Sequence, residues 1–178
     1  MRGRGGNGRT PHQCRDATQC GKDARDSDFP HVLMVPKKYS CTIEVMPVVS
    51  VTRLRVRSWR YLPPFLFYAL RAFRQAKSSD GNLAASLLRD ADKTFWTRTV
   101  WTTEAAMKSF MLAGAHRQVM PRLLEWCDEA ALVHWEQVID REPEWPEAHR
   151  RLQASGRRSK VNHPSPAHAG FQIRPPRL

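Results

Sequence analysis

The chain has 178 residues, 41% of them hydrophobic, and 29 Lys and Arg against 17 Asp and Glu give a formal net charge of +12. Length and apolar content allow one ordinary core plus tails, and the charge raises nucleic acid or an anionic membrane as partners. The excess is spread over the chain, +3 over 1–45, +5 over 46–137 and +4 over 138–178. That pattern describes a solvated basic surface and argues against a dedicated nucleic-acid face.

Residues 1–45 are rich in Gly, Arg and Asp and poor in large apolar side chains, so they read as a disordered extension. Gly3, Gly5 and Gly8 have the G-x-G-x-x-G spacing of a phosphate loop, but no strand precedes them and no helix follows, and the match is chance. Cys14, Cys20, Cys41 and Cys127 form no C-x-x-C pair and no His pair has finger spacing. This excludes the usual structural zinc sites and favours reduced thiols in the cytoplasm. "HVLMVP" is too short for a signal sequence or a membrane span. Structured sequence begins abruptly at Met46, which points to Met46 as the natural translation start and to 1–45 as an upstream extension.

"VVSVTRLRVR" alternates, with Val48, Ser50, Thr52, Leu54 and Val56 on one face and Val49, Val51, Arg53, Arg55 and Arg57 on the other, and predicts a first strand. "YLPPFLFYALRAFRQAK" then places Pro63 and Pro64 in a first helical turn, with Leu62, Phe65, Ala69, Ala72, Phe73 and Ala76 at helical spacing. "NLAASLLRD" and "TFWTRTVW" flank the turn-like "ADK" and read as a hairpin. Thr102 or Thr103 caps the next helix, whose apolar stripe is Met107, Phe110 and Met111. Gly114 interrupts it, and Pro121 predicts a kink or a fresh short helix to Trp126. "AALVHWEQ" supplies a fourth strand, "PEWPEAHRRLQASG" a last short helix over part of 138–178, and the rest an extended basic tail. The order β-α-β-β-α-β defines an α+β, ferredoxin-like domain over 46–137, with a four-stranded antiparallel sheet.

From Phe95 to Trp135 the chain resembles the dimeric α/β-barrel superfamily, which includes antibiotic-biosynthesis monooxygenases, haem-degrading monooxygenases and spheroidene-monooxygenase-like proteins. A Trp-ending strand, a helix with Met and Phe, the turn Gly114-Ala115-His116-Arg117 and the segment Trp126-Cys127-Asp128-Glu129 carry the resemblance, which is nearest to an uncharacterised branch of the superfamily. It implies two sheets paired face to face as a dimeric α/β barrel, with a pocket between sheet and helices in each subunit. The sheet's apolar residues fit that plan. Phe95 and Trp101 oppose Trp96 and Val100, and a monomer would leave one apolar face wet, so a homodimer is expected.

His116 shares a helical face with Val119, Met120 and Leu123 and is the candidate catalytic residue. The competing reading is a buried histidine bonded to a carbonyl. The resemblance implies that His116 would ligate iron if haem is the cofactor, and otherwise orient an electron-rich substrate without a cofactor. Arg98, Trp96, Trp101, Phe110, Met111 and Trp135 are the candidate substrate-binding residues, Arg98 to pair an anion and the rings to stack on a flat ligand. Cys127, seven residues before His134, reads as a small buried side chain, with a Cys-His nucleophile pair as the alternative. The first helix is apolar nearly all round between Arg60 and Arg71, which burial against sheet and mate explains, with a pocket wall or interfacial patch as the alternative. The functional expectation is a monooxygenase-like protein that binds a small aromatic or polyene substrate. A non-catalytic ligand-binding or structural homodimer is the alternative. An RNA-binding module follows third, because "TFWTRTVW" lacks the glycine of an RRM third strand.

Overall fold

In the computed structural model, which describes residues 46–177, the alternating stretch forms β1 (Val48–Val56) and lies in the middle of the sheet. The N-terminal extension and the match at Gly3, Gly5 and Gly8 lie outside the described residues. A short 3-10 turn at Trp59–Tyr61 leads into α1 (Leu62–Ser78), then β2 (Asn82–Arg89), β3 (Thr94–Trp101), α2 (Glu104–Met111), α3 (Gly114–Trp126) and β4 (Cys127–Glu136). With a two-residue β5 (Arg157–Arg158) from the C-terminal segment, the strands are ordered β2-β3-β1-β4-β5, and each pair of neighbours is antiparallel. This is the expected α+β ferredoxin-like arrangement. Among the described residues the sheet has five strands where four were expected, because β5 pairs with Ala131 and Leu132 of β4.

Two boundaries differ from the sequence reading. α3 runs through Pro121 with no break. Arg117, whose carbonyl loses its partner to that proline, is exposed like Pro121 itself, so the missing bond falls on the solvent side of the helix. β4 starts three residues early, at Cys127, because a bulge between Arg55 and Val56 lets the strand keep pairing past the irregularity.

One face of the sheet is covered by α1, α2 and α3 in two separate apolar clusters. Val56, Phe65, Cys127 and Ala130 form one, and Val48, Ala76, Trp101 and Met107 the other. The opposite face carries Val49, Val51, Trp96, Val100, Ala131 and Val133, and this is the face whose exposure suggested a dimer. The chain covers it itself. α4 (Trp145–Ser155) lays Ala148 and Leu152, both fully buried, on that face, joined by Ile173. Where an extended tail was expected, the segment adds β5, the short α5 (Pro166–Ala169) and a return run to Ile173.

Polar contacts fix this cover. Arg98 donates to Glu142 Oε2 at 3.2 Å and to the Pro143 carbonyl at 2.5 Å, and lies 4.2 Å over the Trp145 ring. Arg53 Nη1 donates to Glu129 Oε2 at 2.5 Å in a buried pair, and Ser165 Oγ donates to Glu129 Oε1 at 3.0 Å, tying the C-terminal segment to β1 and β4. His149 Nε2 donates to the Ile173 carbonyl at 2.9 Å. Since Leu152 is enclosed by sheet residues on this face, Leu152→Ala is expected to cost about 3 kcal/mol of unfolding free energy, read from the urea midpoint. A loss within about 0.5 kcal/mol would mean that the cover is not part of the cooperative core.

Candidate functional site

The turn between α2 and α3 is built around one side chain from α1. Thr103 caps α2 by accepting from the Ala106 amide. α2 ends at Met111, and Gly114 starts α3 at φ +51°, a left-handed backbone that glycine adopts without strain. Gln75 fills the space beside it. Its Nε2 donates to the carbonyls of Phe110 and Ala113 at 3.2 and 3.1 Å, and its Oε1 accepts from the His116 amide at 3.0 Å. A Cβ on Gly114 would stand 2.7 Å from Gln75 Oε1, so glycine serves both the turn and the close approach.

His116 is turned inward. Its Nδ1 bonds the Met111 carbonyl at 3.0 Å, its ring is 4.8 Å from Phe110, and Phe110 stacks on Trp101 at 5.1 Å. A carbonyl only accepts, so Nδ1 carries the proton and Nε2 keeps its lone pair. Burial holds the imidazole below its ordinary pKa, opposed by the Met111 bond. Trp101, Phe110, Met111 and His116 are thus brought together. Between the two apolar clusters, the same sheet face carries half-buried Ser50, Thr52, Thr97, Thr99 and His134, with Ser50 opposite both Thr99 and His134. Trp101 Nε1 donates to Thr99 Oγ1 at 2.8 Å.

Arg98, Trp96 and Trp135 sit on the other side of the sheet. Arg98 is committed to Glu142 and Trp145. Trp96 is fully buried and donates to Asp90 Oδ2 at 3.3 Å, and Trp135 lies under Arg151. They share no site with His116. The cavity described on that side, about 50 Å³ beside Arg53, Asp90 and Arg174, has room for water rather than a substrate. Cys127 packs with Val56 and Phe65, and burial pushes its thiol up to about 12, which leaves it protonated and unreactive. His134 is seven residues along the same strand, roughly 23 Å away at strand rise, so no Cys-His pair forms.

A larger opening lies where β3 begins. Trp59, Leu62 and Phe95, with Arg89 and the turn Asp90–Lys93, line a cleft of about 350 Å³ between the sheet and the start of α1. That volume suits a small aromatic molecule. The hairpin turn explains its rim. Asp92 and Lys93 take φ values of +54° and +59°, the Thr94 amide donates to the Ala91 carbonyl at 3.0 Å and the Asp90 amide to the Thr94 carbonyl at 2.8 Å, a tight turn with both central residues left-handed and one residue bulged beside it. A lysine there is held in a backbone region it rarely adopts, and its ammonium lies 5.1 Å from the Trp59 ring. Asp90 is turned inward, accepting from its own neighbour's amide, from Trp96 and from the Arg177 amide. Arg89 and Lys93 are the cations at an aromatic floor, with the Asp92 carboxylate on the same rim. Sequence reasoning missed this site. Its only signals were an aromatic residue ahead of the Pro-Pro helix and a non-glycine pair at a hairpin turn.

The element order and sheet topology define a ferredoxin-like α+β protein. The chain belongs to the family described as Domain of unknown function (DUF3291), whose model matches residues 71–171. Among solved structures, SnoaB, a cofactor-independent oxygenase from Streptomyces nogalater, is 19% identical with a TM-score of 0.43, over 55% of this chain and 98% of its own. An antibiotic biosynthesis monooxygenase is 13% identical with a TM-score of 0.47, over 52% of this chain and 99% of its own. A conserved protein from Methanosarcina mazei Go1 is 11% identical with a TM-score of 0.47, over 53% and 95%. These are likenesses of fold alone. Among curated proteins, none matches the sequence.

The histidines set a pH dependence. His116, His134 and His168 are all held below the ordinary 6.5, chiefly by burial. The unfolded chain therefore binds more protons than the folded one just below that value, so stability is full above about pH 6.5 and falls as the pH drops through it. The urea midpoint is expected to fall from about pH 7 to about pH 5, with a shallower fall in His116→Gln. Equal slopes for the two proteins would remove His116 from the account.

Proposed function

We propose that this protein is a cytoplasmic, monooxygenase-like member of its family that binds a small aromatic ligand bearing an acidic group between sheet and helices. The cleft of about 350 Å³ under Trp59 carries the reading. Its floor of Trp59, Leu62 and Phe95 supplies a flat apolar surface, and Arg89 and Lys93 supply charge for a carboxylate or phenolate. A polyene without an acid group would leave these cations unused.

A second reading follows from the tautomer of His116. With Nδ1 committed to Met111, Nε2 is the nitrogen free to take a substrate proton or to ligate haem iron. Phe95 and Trp101 lie six residues apart on β3, about 20 Å, so His116 does not act on a ligand in the Trp59 cleft. Its chemistry would belong to the Trp101–Phe110 end of the same layer. A non-catalytic binding protein is what remains if neither site turns anything over.

Titration with 4-hydroxybenzoate, followed by tryptophan fluorescence, separates these. Binding is expected to weaken about tenfold in Lys93→Ala and Trp59→Ala and to be unchanged in His116→Ala. If the three variants bind like the wild type, the cleft is not the site. A Soret band that appears on haem addition and is lost in His116→Ala would establish the second reading.

A homodimer belongs to the proposal on new ground. With both sheet faces covered, pairing would use the β2 edge, where Leu83 and Leu87 are each 43% exposed. Light scattering should then give twice the chain mass of 20.5 kDa and the single-chain mass for Leu83→Lys/Leu87→Lys. Single-chain mass for the wild type would refute the pairing.

A further inference from the structure

The outward stripe of α1 beyond the cleft has no role there or at His116, and its composition is unusual for a solvated helix. Leu66, Phe67 and Leu70 recur at helical spacing along it, exposed by 43, 58 and 46%. Toward the C-terminal end the same stripe turns basic, with Arg71, Arg74 and Lys77, and Arg60 stands beside Trp59. From Val45 to Ser79 the sequence has seven Lys and Arg and no Asp or Glu. The neighbouring surface of α3 continues the pattern. Met120 is exposed between Arg117 and Arg122, and the first acid along that helix is Glu125, which is engaged by Arg57 and His163.

We propose that this face docks peripherally on an anionic lipid surface, with Leu66, Phe67 and Leu70 entering the interface and the surrounding arginines and lysine pairing with headgroup phosphates. Charge complementarity decides the occupant. A helix that is aromatic and aliphatic along one part of its outer stripe, basic along the rest and free of acid matches an anionic bilayer surface, because apolar insertion and phosphate attraction then act together. The stripe from Leu66 to Lys77 is about 17 Å long, so it lies along a surface and does not cross one. No helix among the described residues is long and apolar enough to span a membrane. Arg71 is 5.6 Å from the Phe67 ring centroid, which keeps a cation directly beside the inserted aromatic.

The test is co-sedimentation of the full chain with phosphatidylcholine vesicles, with and without about 30 mol% phosphatidylglycerol. The wild type is expected to bind the anionic vesicles about tenfold more tightly than the neutral ones. Leu66→Ser/Phe67→Ser and Arg71→Glu/Arg74→Glu should each lose about tenfold in affinity for the anionic vesicles. All four positions are exposed, so circular dichroism and the unfolding midpoint should stay at wild-type values. Failure of the wild type to sediment with anionic vesicles would overturn the proposal. So would undiminished binding by Leu66→Ser/Phe67→Ser, which would assign the attraction to basic segments elsewhere. Conversion of a wild-type dimer to monomer by the same pair of changes would also overturn it, because the face would then be covered by a second copy.

Discussion

The strand at the middle of the sheet is apolar on both faces, and everything else in the fold follows from the need to keep both faces dry. β1 presents Val48 and Val56 to one side and Val49 and Val51 to the other, each at most 5% exposed. One helix layer covers one face only. The second cover comes from the chain's own C-terminal segment, which brings Leu152, Ala148 and Ile173 onto Trp96 and Val51. The cover is held by charge as well as by apolar contact. Arg53 and Glu129 are taken out of water together and joined by Ser165, an arrangement in which each buried group depends on its partners.

The helix layer is less completely packed. Its two apolar clusters are separated by a row of hydroxyl side chains and His134, and Gln75 ties the turn between α2 and α3 to α1 beside the apolar contacts of Met107 and Leu123. Openings in a fold of this kind occur where packing is interrupted. The cleft under Trp59 lies at one end of the layer, rimmed by a hairpin turn whose Lys93 is held in a rare conformation beside an aromatic ring. The opposite end of the layer holds His116 with its tautomer already set. The same layer that positions both sites also presents its outer stripe to the surroundings, apolar and basic at once.

Much of the fold was legible because it is written in local periodicity. The alternation of Val48–Val56, the span of β3, the Pro-Pro helix start and the break at Gly114 all came from spacing of two or about three and a half residues. The sites were harder. Arg98, Trp96 and Trp135 belong to the side of the sheet that α4 covers, and nothing in "TFWTRTVW" says which side faces the helices. Trp59 and Lys93 are 34 positions apart in the chain and meet only because β1 and the β2–β3 hairpin are brought together at one end of the sheet.

The amino-acid sequence by itself determined the elements and their order, since helix and strand spacing, caps and turn residues act within a few positions of each other. It also determined that β1 would be buried on both sides. Tertiary structure decided what does the burying. A second sheet and a C-terminal helix present equally apolar surfaces, and the choice between them rests on contacts such as Arg98 with Trp145 and Glu129 with Ser165, which join residues 36 to 47 positions apart. Long-range pairing of this kind depends on shape and on which charges are satisfied together, and periodicity carries no information about either.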